Sequence, residues 1–129
     1  MNKSGEQLAK TDIITEHDVE ILVHTFYDKI RANELLAPIF NEVIKDNWDG
    51  HLKKMCDFWS TILLYTRKYL SDPMVKHVPL PLQKIHFNEW LLLFSKTVDE
   101  LFSGEIAEIA KKRAGNIARV MQGVKNITI

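Results

Sequence analysis

The chain has 129 residues, 46% of them hydrophobic, with 17 basic and 17 acidic side chains and a formal net charge of zero. That is enough for one domain with a buried core, and the balanced charge gives no electrostatic ground for binding nucleic acid or an anionic membrane surface. The single cysteine, Cys56, excludes an intrachain disulfide and agrees with a reducing compartment.

Residues 1–14 are polar and read as a flexible start without signal-peptide character. No apolar run reaches spanning length, so a cytoplasmic setting is expected. Thr15-Glu16-His17-Asp18 has the form of a capping box with Asp in place of Glu. A helix follows to about Asn33, with Val19, Leu22, Val23, Phe26 and Ile30 on its apolar stripe and Tyr27 at the stripe's edge.

Residues 34–44 form a short apolar piece broken by Pro38, a turn or two of helix. Asp46 or Asn47 can cap the next helix, which is expected to run to about Lys68. Its stripe is Trp48, Leu52, Met55, Trp59 and Leu63, widened by Cys56 and Ile62, with His51 on the margin. A fourth segment, 82–102, turns Phe87, Trp90, Leu91, Phe94, Val98 and Leu101 inward before Ser103-Gly104 breaks it. The last helix spans about 105–123, with Ile106, Ile109, Ala110, Ile117, Val120 and Met121 inward and a loose tail at 124–129. The reading is an all-α domain over 15–123 with four long helices.

Between the third and fourth helices lies an irregular stretch, 69–82, holding three prolines. Asp72 can cap a short helix there, Pro73 suits its first turn, and Pro79 stops it. His77 then sits at the end of one helical turn. Backbone carbonyls at such an end can hold Nδ1–H and leave Nε2 to point away as a metal ligand. The plainer reading is a surface His favoured by the helix dipole.

Other chemistries lack their residues. There is no HExxH, no paired Glu-x-x-His, no Gly-rich phosphate loop and no GxSxG elbow. What remains is a fixed His near a broad apolar set that includes Phe40, Met55, Trp59, Trp90 and Phe94. That set suits a flat apolar cofactor whose iron takes one imidazole. For most of these side chains, ordinary core packing is an equally simple account. Tyr27, His51 and Trp90 can each present a hydrogen-bond donor inward from a different helix, and buried donors need partners.

Phe26-Tyr27, Ala37-Pro38-Ile39-Phe40, Trp48-x-x-His51, Phe58-Trp59, Lys76-His77 and Trp90 in Glu89-Trp90-Leu91-Leu92-Leu93-Phe94 resemble the group III truncated haemoglobins over residues 15–122. The glycine motifs of the other truncated groups are absent. The resemblance implies a shortened globin, a two-over-two helical sandwich around haem b. His77 matches the proximal iron ligand, Tyr27 and Trp90 the distal hydrogen-bonding pair, His51 the distal histidine, and Met55 the apolar position one turn later. Lys54, Lys76 and Tyr65 are candidate propionate partners, with a solvated surface role as the alternative for each. His86, four residues before Trp90, is the rival axial ligand.

The implied function is binding of dioxygen, carbon monoxide or nitric oxide. Release is expected to be slow, which favours nitric oxide or peroxide handling with electrons from an external reductase over bulk oxygen transport. The alternative is a globin-fold interaction or sensor domain without haem.

Overall fold

The computed structural model describes residues 10–67 and 82–128. Five helices follow in order: α1 (Glu16–Ala32), α2 (Ala37–Ile44), α3 (Trp48–Leu64), α4 (Lys84–Leu101) and α5 (Glu105–Thr128), with no strand among the described residues. α1 packs on α3 and α4 packs on α5, and the two pairs meet chiefly where α1 lies against α4. This is the arrangement of two helix pairs that the sequence resemblance leads one to expect.

Local chemistry sets the helix ends. The Thr15 hydroxyl accepts from Asp18 N–H at 3.1 Å, and the Asp18 carboxylate accepts from Thr15 N–H at 3.0 Å, completing the capping box expected there. At the other end of α1, Asn33 Oδ1 accepts from the N–H groups of Leu35 and Leu36. Its Nδ2 donates to Glu89 of α4 at 2.7 Å. Pro38 does not break α2; it lies in the first turn, where its missing N–H has no helical partner to lose. α3 stops at Leu64 because Tyr65 adopts a left-handed conformation, φ 61°. α4 starts at Lys84, later than expected, because Gln83 and His86 form its cap.

The helix patterns place Val19, Leu22, Val23, Phe26 and Ile30 in the core, together with Met55, Trp59 and Leu63. α5 departs from expectation. Its buried line is Ala107, Ala110, Ala114, Ala118 and Met121, whereas Ile109 and Val120 are exposed and Ile106 and Ile117 are half-buried. Alanines at three- and four-residue spacing present a flat face that lets a neighbouring helix approach closely. The larger residues flank that face. α5 also continues as helix through Thr128, past the Gly123 at which the sequence pattern ends it.

The segment before α1 is anchored from Lys10 onward. Gly104 precedes α5 and its carbonyl accepts from Glu108 N–H, yet a glycine has no side chain with which to cap the helix. Asp12 does this from afar: its carboxylate oxygens accept from Ile106 N–H and Ala107 N–H, each at 2.8 Å. Ile13, next to it, is buried in the core. Gly104 has φ 149°, and a Cβ there would lie 2.5 Å from Asp12 Cγ. The glycine and the aspartate therefore require each other.

Burial raises the Asp12 pKa, but the backbone N–H groups of Ile106, Ile13, Ala107 and Glu105 outweigh it and hold the carboxyl below its ordinary 3.8. The depressed value contributes stability above the unfolded pKa, and that stability is lost as pH falls through the lower folded value. Asp12→Ala is expected to cost about 1–2 kcal/mol in urea unfolding at neutral pH, with the difference from wild type shrinking in acid. Gly104→Ala should also destabilise. Gly115→Ala, mid-helix on α5 with no atom within 4 Å of the added Cβ, should gain about 0.5–1 kcal/mol. Equal midpoints for all four proteins would refute this account of the α5 anchor.

Candidate functional site

The aromatic residues form two groups joined through α1. Phe26 and Tyr27 are consecutive, so they project about 100° apart around the helix axis. Phe26 meets α4: its ring centroid lies 5.6 Å from Trp90 and 5.1 Å from Phe94, both edge-on. Phe94 in turn stacks on Trp59 of α3 at 4.8 Å and on Trp90 at 5.9 Å. Tyr27 meets the other side: Phe40 of α2 at 6.4 Å, and Trp48 and His51 of α3 at 6.0 and 5.0 Å.

Eight of the ten residues expected in the site are among those described. Tyr27, Phe40 and His51 come together in one group, and Trp59, Trp90 and Phe94 in the other. Met55 is buried in the core on the same helix as His51 and Trp59. Lys54 is exposed on α3, and Tyr65 is exposed at its end. Lys76 and His77 lie outside the described residues.

His86, the rival ligand, serves α4: its Nδ1 accepts from Gln83 N–H at 2.9 Å. His17 and His24 are exposed. Trp48, which the sequence reading assigns no part in the site, lies against the rings of both Tyr27 and His51. The signal for it was its position three before His51, on the same helical face.

The Tyr27 side chain is 3% exposed. Burial, and then the nearby Cys56, raise its phenol above the ordinary 10.0, so it stays an O–H donor at neutral pH. Among the described residues, nothing hydrogen-bonds to the Tyr27 hydroxyl or to Trp90 Nε1–H. His51 Nε2 is fully buried. Leu36, Phe40, Leu82, His86, Phe87 and Trp90 line a small apolar cavity of about 10 Å³, no more than the space of a single water.

A separate groove of about 380 Å³ runs over the outside of α1 and α3, past Glu20, His24, Lys53 and Cys56. The Cys56 thiol is pushed up to about 11 by burial and by Glu20 and Asp57, with Lys53 acting the other way. It is therefore a neutral thiol and a poor nucleophile at neutral pH.

The sequence profile of the bacterial-like globins matches residues 12–125. A group 3 truncated haemoglobin of Campylobacter jejuni subsp. jejuni is 31% identical over 119 residues, covering 89% of this chain and 94% of that protein. The chain belongs to the truncated haemoglobins of group III. A crystal structure of the group III truncated haemoglobin from Campylobacter jejuni superposes with a TM-score of 0.81, at 31% identity and the same 89% and 94% coverage. A group 2 truncated haemoglobin of Bacillus subtilis is 28% identical over 116 residues, covering 88% of this chain and 87% of that one. This globin is thus a ligand-binding protein of a haem-binding family. Among the described residues, no helix is long and apolar enough to cross a membrane.

The side chains present fit a haem. Phe40, Met55, Trp59 and Phe94 are buried and apolar, as the faces of a flat macrocycle require. Tyr27 and Trp90 keep donors that no described residue uses.

The raised Cys56 pKa gives a test of the packing between α1 and α3. Such a thiol contributes stability below its unfolded value of 9.0, and loses it as pH rises through about 11. Cys56→Ala is expected to flatten the fall in melting temperature across that window relative to wild type. Parallel curves would show that the thiol is not buried as described.

Proposed function

We propose that this truncated haemoglobin binds haem b through His77 and holds a diatomic ligand beneath Tyr27 and Trp90. The observation that carries the reading is the Tyr27 hydroxyl, a buried donor beside His51 with no acceptor among the described residues. A bound ligand would give that hydroxyl an acceptor, a hydrogen bond worth about 0.5–1.5 kcal/mol net.

Haem supplies an iron with one open position at which a diatomic ligand can bind and be reduced or oxidised. The chain's residues do the rest. His77 lies in the stretch joining α3 to α4 and would hold the iron through Nε2. His86 is the weaker candidate because its Nδ1 is used to cap α4. Phe40, Met55, Trp59 and Phe94 would exclude water from the macrocycle faces. Lys54 and Lys76 are positioned in sequence to meet its propionates.

On the distal side, the Tyr27 O–H and the Trp90 Nε1–H would donate hydrogen bonds to the ligand, while the His51 ring stands edge-on to Tyr27. Because burial keeps the phenol protonated, that donor is available throughout the physiological range. Two such donors slow ligand escape, and a ligand held this long suits reaction with nitric oxide or turnover of peroxide better than delivery. Either reaction needs electrons from a separate reductase.

Stopped-flow measurement of dioxygen release tests the distal assignment. Tyr27→Phe is expected to speed release by roughly tenfold, since one hydrogen bond is worth about 0.5–1.5 kcal/mol and more to a charged acceptor. An unchanged rate would remove Tyr27 from the site. Ferrous spectra decide the proximal ligand: His77→Ala should lose the five-coordinate histidine spectrum and His86→Ala should keep it, and the reverse result would exchange their roles.

A further inference from the structure

The start of α3 lacks the usual fastening. Its N-cap residue, Asn47, makes no side-chain hydrogen bond to the helix. Helix starts without a cap fray readily, yet His51 stands only one turn in. Trp48 ties this turn to its neighbours. Its Nε1–H donates to Asn41 Oδ1 on α2 at 3.2 Å. The Arg31 guanidinium of α1 lies 4.5 Å above the Trp48 ring, a cation–π contact. The indole is only 6% exposed.

Its inner edges meet the distal rings. Trp48 lies 6.0 Å from Tyr27 at 61° and 5.8 Å from His51 at 89°, and His51 lies 5.0 Å from Tyr27 at 89°. The three rings close a triangle of edge-on contacts in which each fixes the tilt of the other two. Such pairs contribute about 0.5–1.5 kcal/mol beyond area burial. The Trp48–Asn41 pair is a directional hydrogen bond that ties this triangle to α2.

We propose that Trp48 is the positioning residue of the distal site. By tying the uncapped start of α3 to Asn41 and Arg31, it holds the His51 ring edge-on to Tyr27, and so sets how fast a diatomic ligand enters. The ligand-entry part rests on the haem reading above; the positioning part does not.

Two variants separate the tether from the ring. Asn41→Ala removes the acceptor at an exposed position and leaves every ring in place. Trp48→Phe keeps an aromatic ring and removes the N–H. The side-chain NMR relaxation of the His51 imidazole is measured in the full chain before haem loading and in the diamagnetic carbon monoxide complex. Carbon monoxide association after flash photolysis is measured in the loaded protein.

In both variants the His51 ring is expected to gain motion. Association is expected to quicken by about two- to tenfold, the equivalent of one lost hydrogen bond. The acceleration should vanish when Asn41→Ala is added to His51→Ala, because both changes act through the same ring. An unchanged His51 ring in Asn41→Ala overturns the positioning role. An acceleration that persists without His51 overturns the entry role. If Trp48→Phe fails to fold, Asn41→Ala still decides both points. If no haem is taken up, the relaxation measurement still decides the first.

Discussion

The structure depends on two consecutive aromatic side chains of α1 pointing in different directions. Phe26 packs edge-on to Trp90 and Phe94 and binds α1 to α4. Tyr27 packs edge-on to Phe40, Trp48 and His51 and binds α1 to α2 and α3. The roughly 100° step between neighbours on a helix makes this division possible. It also explains why α1 is the element on which both helix pairs converge. Phe26 needs nothing but packing, whereas Tyr27 brings a hydroxyl into the same interior. The fold therefore places a donor in a nearly closed interior, and that placement is what the proposed distal site would use.

Around this centre the chain uses small residues and remote caps rather than larger cores. The alanine face of α5 brings it flat against its neighbours, and the first turn of that helix is fastened by a carboxylate 94 residues earlier in sequence. Asp12 closes a gap that Gly104 opens. Asn33 does similar work at the opposite end of α1, turning the chain through Oδ1 and reaching α4 through Nδ2. These bonds are modest singly, about 1 kcal/mol each, but each fixes a helix end whose position sets where a ring of the site falls.

Much of this was legible in the sequence because helical periodicity writes large apolar residues onto one face. The stripes of α1 and α3 place Phe26, Met55 and Trp59 in the core, and the capping box at Thr15 is met atom for atom. Tyr27, His51 and Trp90 stood out because polar atoms at a stripe's margin demand a reason. The face of α5 was misread because alanine carries a weak hydrophobic signal; Ile109 and Val120 looked inward and face out. The Asp12 cap was invisible because nothing local distinguishes an aspartate that will bond a distant helix. His86 shows the limit of spacing arguments: four residues before Trp90 is the right face for a ligand, but equally the right place for a cap. His77 lies outside the described residues, so its part rests on the turn chemistry of its own stretch and on family membership.

Membership of the truncated haemoglobins gives the chemistry a setting, and the residues around Tyr27 say how this chain would use it. The central claim is that the Tyr27 hydroxyl reaches the bound ligand. The infrared stretching frequency of carbon monoxide bound to the haem-loaded protein reports this directly, because a hydrogen bond to the ligand oxygen weakens the C–O bond and lowers its frequency. A low-frequency band in the wild type that moves upward in Tyr27→Phe is the result predicted. A band at the same frequency in both proteins would mean that Tyr27 does not touch the ligand, and would contradict the account.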